Sequence, residues 1–374
     1  MRNCVLYFVL ILVFPIDSLS QTFREFEERA RTYHQKGDLD SAIREYSIAL
    51  LFFPNNPIAL YNRGVYKLES FEFEPAIKDL KKSILYKFPE PVHPLRNIGT
   101  CFSELGNLDS ALIYFEKALE VNPDSYSILK DKGLVYYKLG MLNQALETFN
   151  KALQIEPTYA PILTGRGQVY QDLGEFSKAM NDYTRAISLD KTSYDAFNNR
   201  GNIKKELGDF EGAILDYEKA IKIYPDYYLT YFNLGVVFME SKDFDKAITY
   251  FSKSIDLNPY YEEAYLNRGV TRAQSSSKDY LGSVLDFSKA IELNPYSAVN
   301  HNNRGFTRMN LGDFEMALED FNTAISLDPN YGMAYKNRAR SKVKLNRISE
   351  ACEDYNSAIQ KGEPVSEKEL SVCN

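Results

Sequence analysis

Seven asparagines recur at one place in a repeating pattern: Asn62, Asn97, Asn199, Asn233, Asn267, Asn303 and Asn337. A carboxamide carries one acceptor and two donor hydrogens, the set that holds an extended peptide backbone whatever its side chains. Asn is also a mediocre helix former, because its amide competes for backbone partners, so its recurrence needs a reason. The chemistry it suggests is binding. Bond-making chemistry is not visible. His34, His93 and His301 are far apart and lack Cys or carboxylate partners at ligand spacing, so no metal site is expected, and each reads as a surface or groove residue. There is no phosphate loop or zinc-protease motif, and Gly165-Arg166-Gly167 lies inside a helical pattern without the third Gly of a dinucleotide fingerprint. No catalytic residue, cofactor or small-molecule substrate is expected.

The elements that carry these asparagines repeat. Gly133, Gly167, Gly201, Gly235 and Gly269 are spaced by 34 residues, and a fixed period of this size signals stacked supersecondary units. A second glycine often follows, as at Gly106, Gly140, Gly174, Gly208 and Gly312. In the unit at 126–159, Leu129, Gly133 and Tyr136 mark one face of a first helix, and Gly140 supplies the positive φ that ends it. Ala145, Phe149 and Ala152 mark the inner face of a second helix, and Pro157 closes it. One such hairpin cannot bury its apolar face alone, so the units must stack.

This order of small, aromatic, Gly, Ala, aromatic, Ala and Pro resembles the tetratricopeptide repeat family. Ten units begin near residues 23, 57, 92, 126, 160, 194, 228, 262, 298 and 332. The resemblance implies an all-α, right-handed superhelical solenoid over residues 23–365 whose first helices line a concave groove. Where the pattern breaks, irregular turns are expected: Phe71 and Lys242 replace the turn glycine, Lys191 replaces the closing Pro, and the eighth unit holds two extra residues in "QSSSKDYLG". Family members usually end in a capping helix, and here a short tail, 366–374, follows the last unit. The final apolar face is therefore expected to be poorly covered, or covered by another subunit or partner, with oligomerisation through that end open.

Glycine at the eighth position of a unit lets its two helices approach. Arg at the seventh, as Arg63, Arg166, Arg200, Arg268, Arg304 and Arg338, goes with Asp at the twenty-third, as Asp79, Asp182, Asp216, Asp286, Asp320 and Asp354. The remaining units have Glu45, Tyr114, Thr148 and Tyr250 there and are read as lacking the pair. We read Arg and Asp as a partly buried ion pair joining the helices within one unit; duplication of an ancestral unit would copy both residues without contact. Asn stands at the sixth position, about 200° around the helix from the fourth and away from the second helix. It is read as neither core nor cap. The row is similar to the asparagine ladder in the repeat groove of the O-linked N-acetylglucosamine transferase, which grips substrate polypeptide. It is broken at Asp131 and Gly165. The alternative is that each Asn bonds neighbouring helix groups or came along with duplication. The family's carboxylate clamp is incomplete: Asn198 and Glu263 stand where lysines are needed, though Asn202 and Asn233 fit.

Residues 1–20 read as a secretory signal peptide, with Arg2, an apolar run from Cys4 to Phe14, and Ser18 and Ser20 before a cleavage site near Ser20. The run is too short for a membrane-spanning helix of about 20 residues. A periplasmic or secreted product follows. The 44 basic and 51 acidic residues of the full chain are interspersed, with net charge −7 and no polybasic run, which disfavours nucleic acid. Cys101, Cys352 and Cys373 remain after cleavage, too few for a disulfide framework; Cys352 and Cys373 pair only if the tail folds back, and otherwise stay thiols. The reading is an exported, non-enzymatic scaffold binding an extended polypeptide in its groove. The alternative is a structural subunit of a cell-envelope or secretion assembly, using repeat edges and the C-terminal end.

Overall fold

The computed structural model describes residues 16–373, with side chains from Phe23 onward. Among the described residues it contains 21 α-helices, one 3₁₀ turn and no strand. The chain divides into two compact bodies after Leu189. In the N-terminal body the hairpins are α1 (Ile16–Gln35) with α2 (Leu39–Phe52), α3 (Pro57–Glu69) with α4 (Phe73–Leu85), and α5 (Val92–Glu104) with α6 (Leu108–Val121). Then come α7 (Tyr126–Lys138) with α8 (Leu142–Ile155), and α9 (Ala160–Asp172) with α10 (Phe176–Leu189). In the C-terminal body they are α11 (Tyr194–Glu206) with α12 (Phe210–Ile223), α13 (Tyr228–Glu240) with α14 (Phe244–Leu257), and α15 (Glu262–Gln274) with α16 (Tyr280–Leu293). The last two are α17 (Ala298–Leu311) with α18 (Phe314–Leu327), and α19 (Gly332–Lys344) with α20 (Ile348–Gln360); a short α21 (Glu367–Leu370) and the turn Ser371–Cys373 follow. Within each body every hairpin packs on the next in sequence.

The reasons for the hairpins are local. A left-handed residue ends every first helix but α15, and an Asp or Asn side chain then caps many of the second helices: Asp38, Asn107, Asp209, Asp243 and Asp279 each accept from a backbone N–H in the first turn. Each second helix presents one large residue to the core, and Tyr46, Phe115, Phe149, Tyr183, Tyr217, Phe251, Phe287 and Phe321 are the largest fully buried side chains. These rings explain the eighth-position glycine: a Cβ on Gly167 would lie 2.6 Å from the Tyr183 ring, and one on Gly235 would lie 2.6 Å from Phe251.

The turns at Phe71 and Lys242 are regular. Both residues adopt the left-handed conformation of the glycines they replace, at φ 62° and 63°. The hydrogen bonds are those of a glycine turn: Phe71 and Glu72 N–H donate to the Leu68 and Lys67 carbonyls, as Gly208 and Asp209 donate to Lys205 and Lys204. The hydrogen-bonded geometry fixes φ, and an L-residue tolerates it at a cost of about 1–2 kcal/mol. At "QSSSKDYLG" the turn is irregular as expected, with Ser275 extended and Lys278 at φ 47°. The missing Pro at Lys191 is offset by Asp190, whose carboxylate accepts from the Thr192 N–H and hydroxyl.

The C-terminal end is covered, contrary to the open apolar face expected from the sequence. The tail folds back, Val365 and Leu370 pack against a core of Ala339, Ala351 and Tyr355, and Cys352 forms a disulfide with Cys373. The thiol reading fails for these two because Tyr355 and its neighbours need an apolar lid. Cys101 is a buried free thiol. Of the expected leader, residues 1–15 lie outside the described residues, and 16–20 begin α1. No helix among the described residues is long and apolar enough to cross a membrane.

Candidate polypeptide-binding face

All six Arg–Asp pairs form, each with two or more hydrogen bonds. Arg63 Nε lies 2.7 Å from Asp79, Arg166 Nε 2.7 Å from Asp182, and Arg200 Nε 2.8 Å from Asp216. Arg268, Arg304 and Arg338 reach Asp286, Asp320 and Asp354 with one nitrogen each at 2.7, 2.7 and 2.6 Å. The carboxylates are buried and the guanidiniums half-buried.

Three features of this ladder were missed in the sequence. The first unit has the pair too: Arg29, at its seventh position, donates to Glu45 at 2.9 Å. The arginines also reach backwards, since Arg63, Arg268 and Arg304 donate to Ser47, Ser252 and Ser288 of the preceding unit, and Arg166 and Arg338 to Asn150 and Asn322. The Arg–Asp pairing stays within one unit, as expected, and these additional bonds tie each such unit to the one before it. A second cation four residues after the Arg binds the same Asp in five units: Lys67, Lys204, Arg272, Arg308 and Lys342, each at 2.8 Å. Where the seventh position is Ile98 or Leu234, the other two positions hold stacked rings, Phe102 on Tyr114 and Phe238 on Tyr250. Five of the six Arg–Asp units thus fill the three positions ionically and two other units fill the last two with rings, while the fifth unit mixes the two, with the Tyr170 ring beneath the Arg166 guanidinium that pairs with Asp182.

The asparagines are less free than the sequence suggested. In the N-terminal body, Asn62 donates to the Tyr46 hydroxyl at 2.9 Å and Asn97 bonds Tyr61. In the C-terminal body a motif occurs twice. Buried Asn198 donates to Asn199 and accepts from Asn233; buried Asn302 donates to Asn303 and accepts from Asn337. These fifth-position asparagines splice consecutive units, and the doublet Asn-Asn before Arg was the available signal. Asn267 donates to its own helix at the Glu263 carbonyl. Asn337 is buried, correcting the expectation that this position is never core, and its oxygen accepts from Arg340. Among the described residues, Asn199 and Asn303 keep both amide hydrogens, and Asn267 its oxygen, without a partner in the chain.

Spacing puts further residues on the same stripe. On α17, Val299, Asn303 and Phe306 follow the 4-then-3 spacing of one helix face, and Val299 and Phe306 are exposed, as is Met333 on α19. The face therefore combines free amide groups with apolar side chains.

The two breaks in the row have separate causes. At Gly165 any side chain would lie 2.8 Å from the Phe149 ring. Asp131 is held by Arg96 at 2.7 Å and Lys130 at 2.6 Å, beside a cleft of about 430 Å³ lined by Thr100, Ser103, Leu134, Tyr137 and Lys138. Burial, followed by the Asp172 carboxylate, pushes the Tyr137 hydroxyl up to about 12. Among the histidines, His34 stacks on Tyr66 and His93 bonds Glu90 at the surface, whereas His301 is buried, with Nε2 3.2 Å from the Pro295 carbonyl. Among the described residues no group of three or more His, Cys, Asp or Glu is placed to hold a metal.

Paired helices of 13 or 14 residues, α1 alone being longer, stacked with a large buried residue facing a small one at fixed places, define a helical-repeat protein. The chain belongs to the tetratricopeptide repeat family. It matches that family's "TPR repeat" pattern at residues 30–68, 133–174, 167–208 and 201–242, and its "Tetratricopeptide repeat" pattern at 95–125, 228–261 and 298–331. A stretch of 102 residues is 29% identical to the protein CTR9 homolog of Arabidopsis thaliana, covering 26% of this chain and only 9% of that protein. The solved structure of pilF from Pseudomonas aeruginosa is similar with a TM-score of 0.52 at 22% identity, over 57% of this chain and 97% of that one. A tetratricopeptide repeat protein from Parabacteroides merdae aligns over 77% of this chain and 99% of its own, with 21% identity and a TM-score of 0.46. The fold is that of a protein-binding scaffold.

Proposed function

We propose that this chain is an exported, non-catalytic scaffold that holds an extended segment of another polypeptide on the first-helix face of its C-terminal body. The observation that carries the reading is the unpartnered amide hydrogens of Asn199 and Asn303 and the unpartnered amide oxygen of Asn267, with exposed Val299 and Phe306 flanking one of them. Amides that bond backbone give grip without sequence preference, and the apolar neighbours add affinity for some side chains. First helices about 10 Å apart would offer one Asn for every third residue of a chain advancing about 3.4 Å per residue. Export rests on the leader pattern and is supported by the Cys352–Cys373 bridge, since disulfides persist in oxidising compartments. The covered C-terminal end weighs against assembly through that end.

The test is binding of a neutral, fluorescein-labelled pool of randomised peptides about 15 residues long, the length spanning five units at that rise. Anisotropy should show binding to the wild type and at least a tenfold loss in N199A/N267A/N303A with unchanged helicity. Equal binding by both proteins removes the reading. N-terminal sequencing of the chain from its producing cell tests export: a start at or near Gln21 is expected, and retention of Met1 with cytoplasmic recovery contradicts it.

A further inference from the structure

The tail does more than cover apolar surface. Lys336 and Arg340 stand at the fifth and ninth positions of α19, on the face that carries the asparagine row, and both are bound by carboxylates of the chain's own tail. Lys336 Nζ lies 3.1 Å from Glu363 and 2.5 Å from the Pro364 carbonyl, and Arg340 Nε donates to Glu369 at 2.7 Å. Burial alone would raise the Glu369 carboxyl, but the Ser366 hydroxyl and N–H and the Arg340 guanidinium together hold it down at about 2. The seat is shaped for this: a Cβ on Gly332 would lie 2.8 Å from Glu363 Cβ. It is also wired to the asparagine row. Arg340 donates to Asn337, Asn337 to Asn302, and Asn302 to Asn303. A lid for Ala339, Ala351 and Tyr355 requires only Val365 and Leu370; it does not require two carboxylates on two cations.

We propose that the first helix of the last unit is a binding site for an acidic polypeptide segment with two carboxylates six residues apart, filled in cis by Glu363 and Glu369 and latched by Cys352–Cys373. This rests on the first-helix face being the peptide-binding face. A dithiol opens the latch: two electrons and two protons pass to the bridge, the S–S bond breaks, Cys352 and Cys373 become thiols, and the dithiol closes to its own disulfide. Reduction alone leaves the tail tethered at an effective concentration on the order of millimolar, so an external segment competes well only when the tail's carboxylates are also weakened. Release would free Arg340 and loosen Asn337, extending the row of available amides by one unit.

The probe is a fluorescein-labelled peptide of residues 362–372 of this chain. The oxidised wild type should not bind it measurably. The full chain carrying Glu363→Gln and Glu369→Gln, reduced with dithiothreitol, should bind it at least tenfold more tightly, and adding Lys336→Gln with Arg340→Gln should remove that gain while helicity stays unchanged. The inference is overturned if the reduced variant binds no better than the oxidised wild type, or binds equally after the Lys336 and Arg340 changes. The neutral peptide pool, read on oxidised wild type against N199A/N267A/N303A, does not involve the tail seat. A failure there sinks the general face reading, whereas a failure confined to the labelled 362–372 peptide sinks only the tail seat.

Discussion

Exchanging the ionic filling of one unit for the aromatic filling of another tests what the Arg–Asp ladder does. In the second unit Asp79 is 3% exposed and accepts from Arg63 at 2.7 and 2.8 Å and from Lys67 at 2.8 Å. Asp79→Ala leaves two cations facing a cavity, and removing one partner of a buried pair costs about 3–5 kcal/mol. The triple change Arg63→Leu, Lys67→Phe, Asp79→Tyr copies the Leu234, Phe238 and Tyr250 set, whose two rings stack at 5.3 Å. Replacing a buried ionic set by apolar groups of similar volume is often neutral or stabilising, so the triple variant should lie within about 1 kcal/mol of the wild type or above it. Long repeat arrays do not unfold in a single step, so a global melting curve would blur the effect. Native-state hydrogen exchange read on the amides of α3 and α4 resolves it. Asp79→Ala should speed their exchange by about two to four orders of magnitude, and the triple variant should restore the wild-type rate. An effect of less than about tenfold for Asp79→Ala, or a triple variant as fast as Asp79→Ala, would refute the idea that the two fillings are interchangeable solutions.

Phe71→Gly should stabilise the second unit by about 1 kcal/mol, read as slower exchange of the α3 and α4 amides, because it relieves a left-handed L-residue whose ring is largely exposed. Gly235→Ala should destabilise by about 1–3 kcal/mol despite the better helix propensity of Ala, because its Cβ meets the fully buried Phe251 ring; an unchanged urea midpoint for the C-terminal body would contradict this. The tail should loosen in acid. Glu369 titrates at about 2 in the folded chain against a usual 4.5, so its contribution is complete above about 4.5 and is lost as the pH falls towards 2. Exchange of the 363–370 amides, corrected for intrinsic rates, should rise over that window, and a flat profile would show that the Arg340 contact holds nothing.

The unit boundaries were legible because the period is set by a small residue, Gly in eight units and Ala30 or Ala339 in the other two, facing one large residue, a ring in all but the second unit, where it is Leu80; both leave fixed marks in the chain. The Arg–Asp contact was legible because the two residues change together. The third member of that set, at Lys67, Lys204, Arg272, Arg308 and Lys342, alternates with aromatic residues, so it reads as unrelated until the stacked pair of Phe238 and Tyr250 is seen in the same space. Turn geometry was misjudged at Phe71 and Lys242 because composition records which residue prefers a left-handed φ, whereas the hydrogen bonds of the hairpin decide which residue must adopt it. The disulfide and the tail seat were not legible: the pairing of Cys352 with Cys373 depends on the chain reversing after Gln360, and the position of Gly332 beneath Glu363 has no counterpart in the other units. For the asparagines the sequence located the row, and the partners of Asn62, Asn233 and Asn337 emerge only from neighbouring helices.

The central claim, that the first-helix face of the C-terminal body grips polypeptide backbone through its free amides, meets its most direct test in the anisotropy of the neutral peptide pool titrated with wild type and with N199A/N267A/N303A. The account expects saturable binding to the wild type, at least a tenfold weaker response from the variant, and the same helicity for both. Binding that is equally strong without the three asparagines would contradict it.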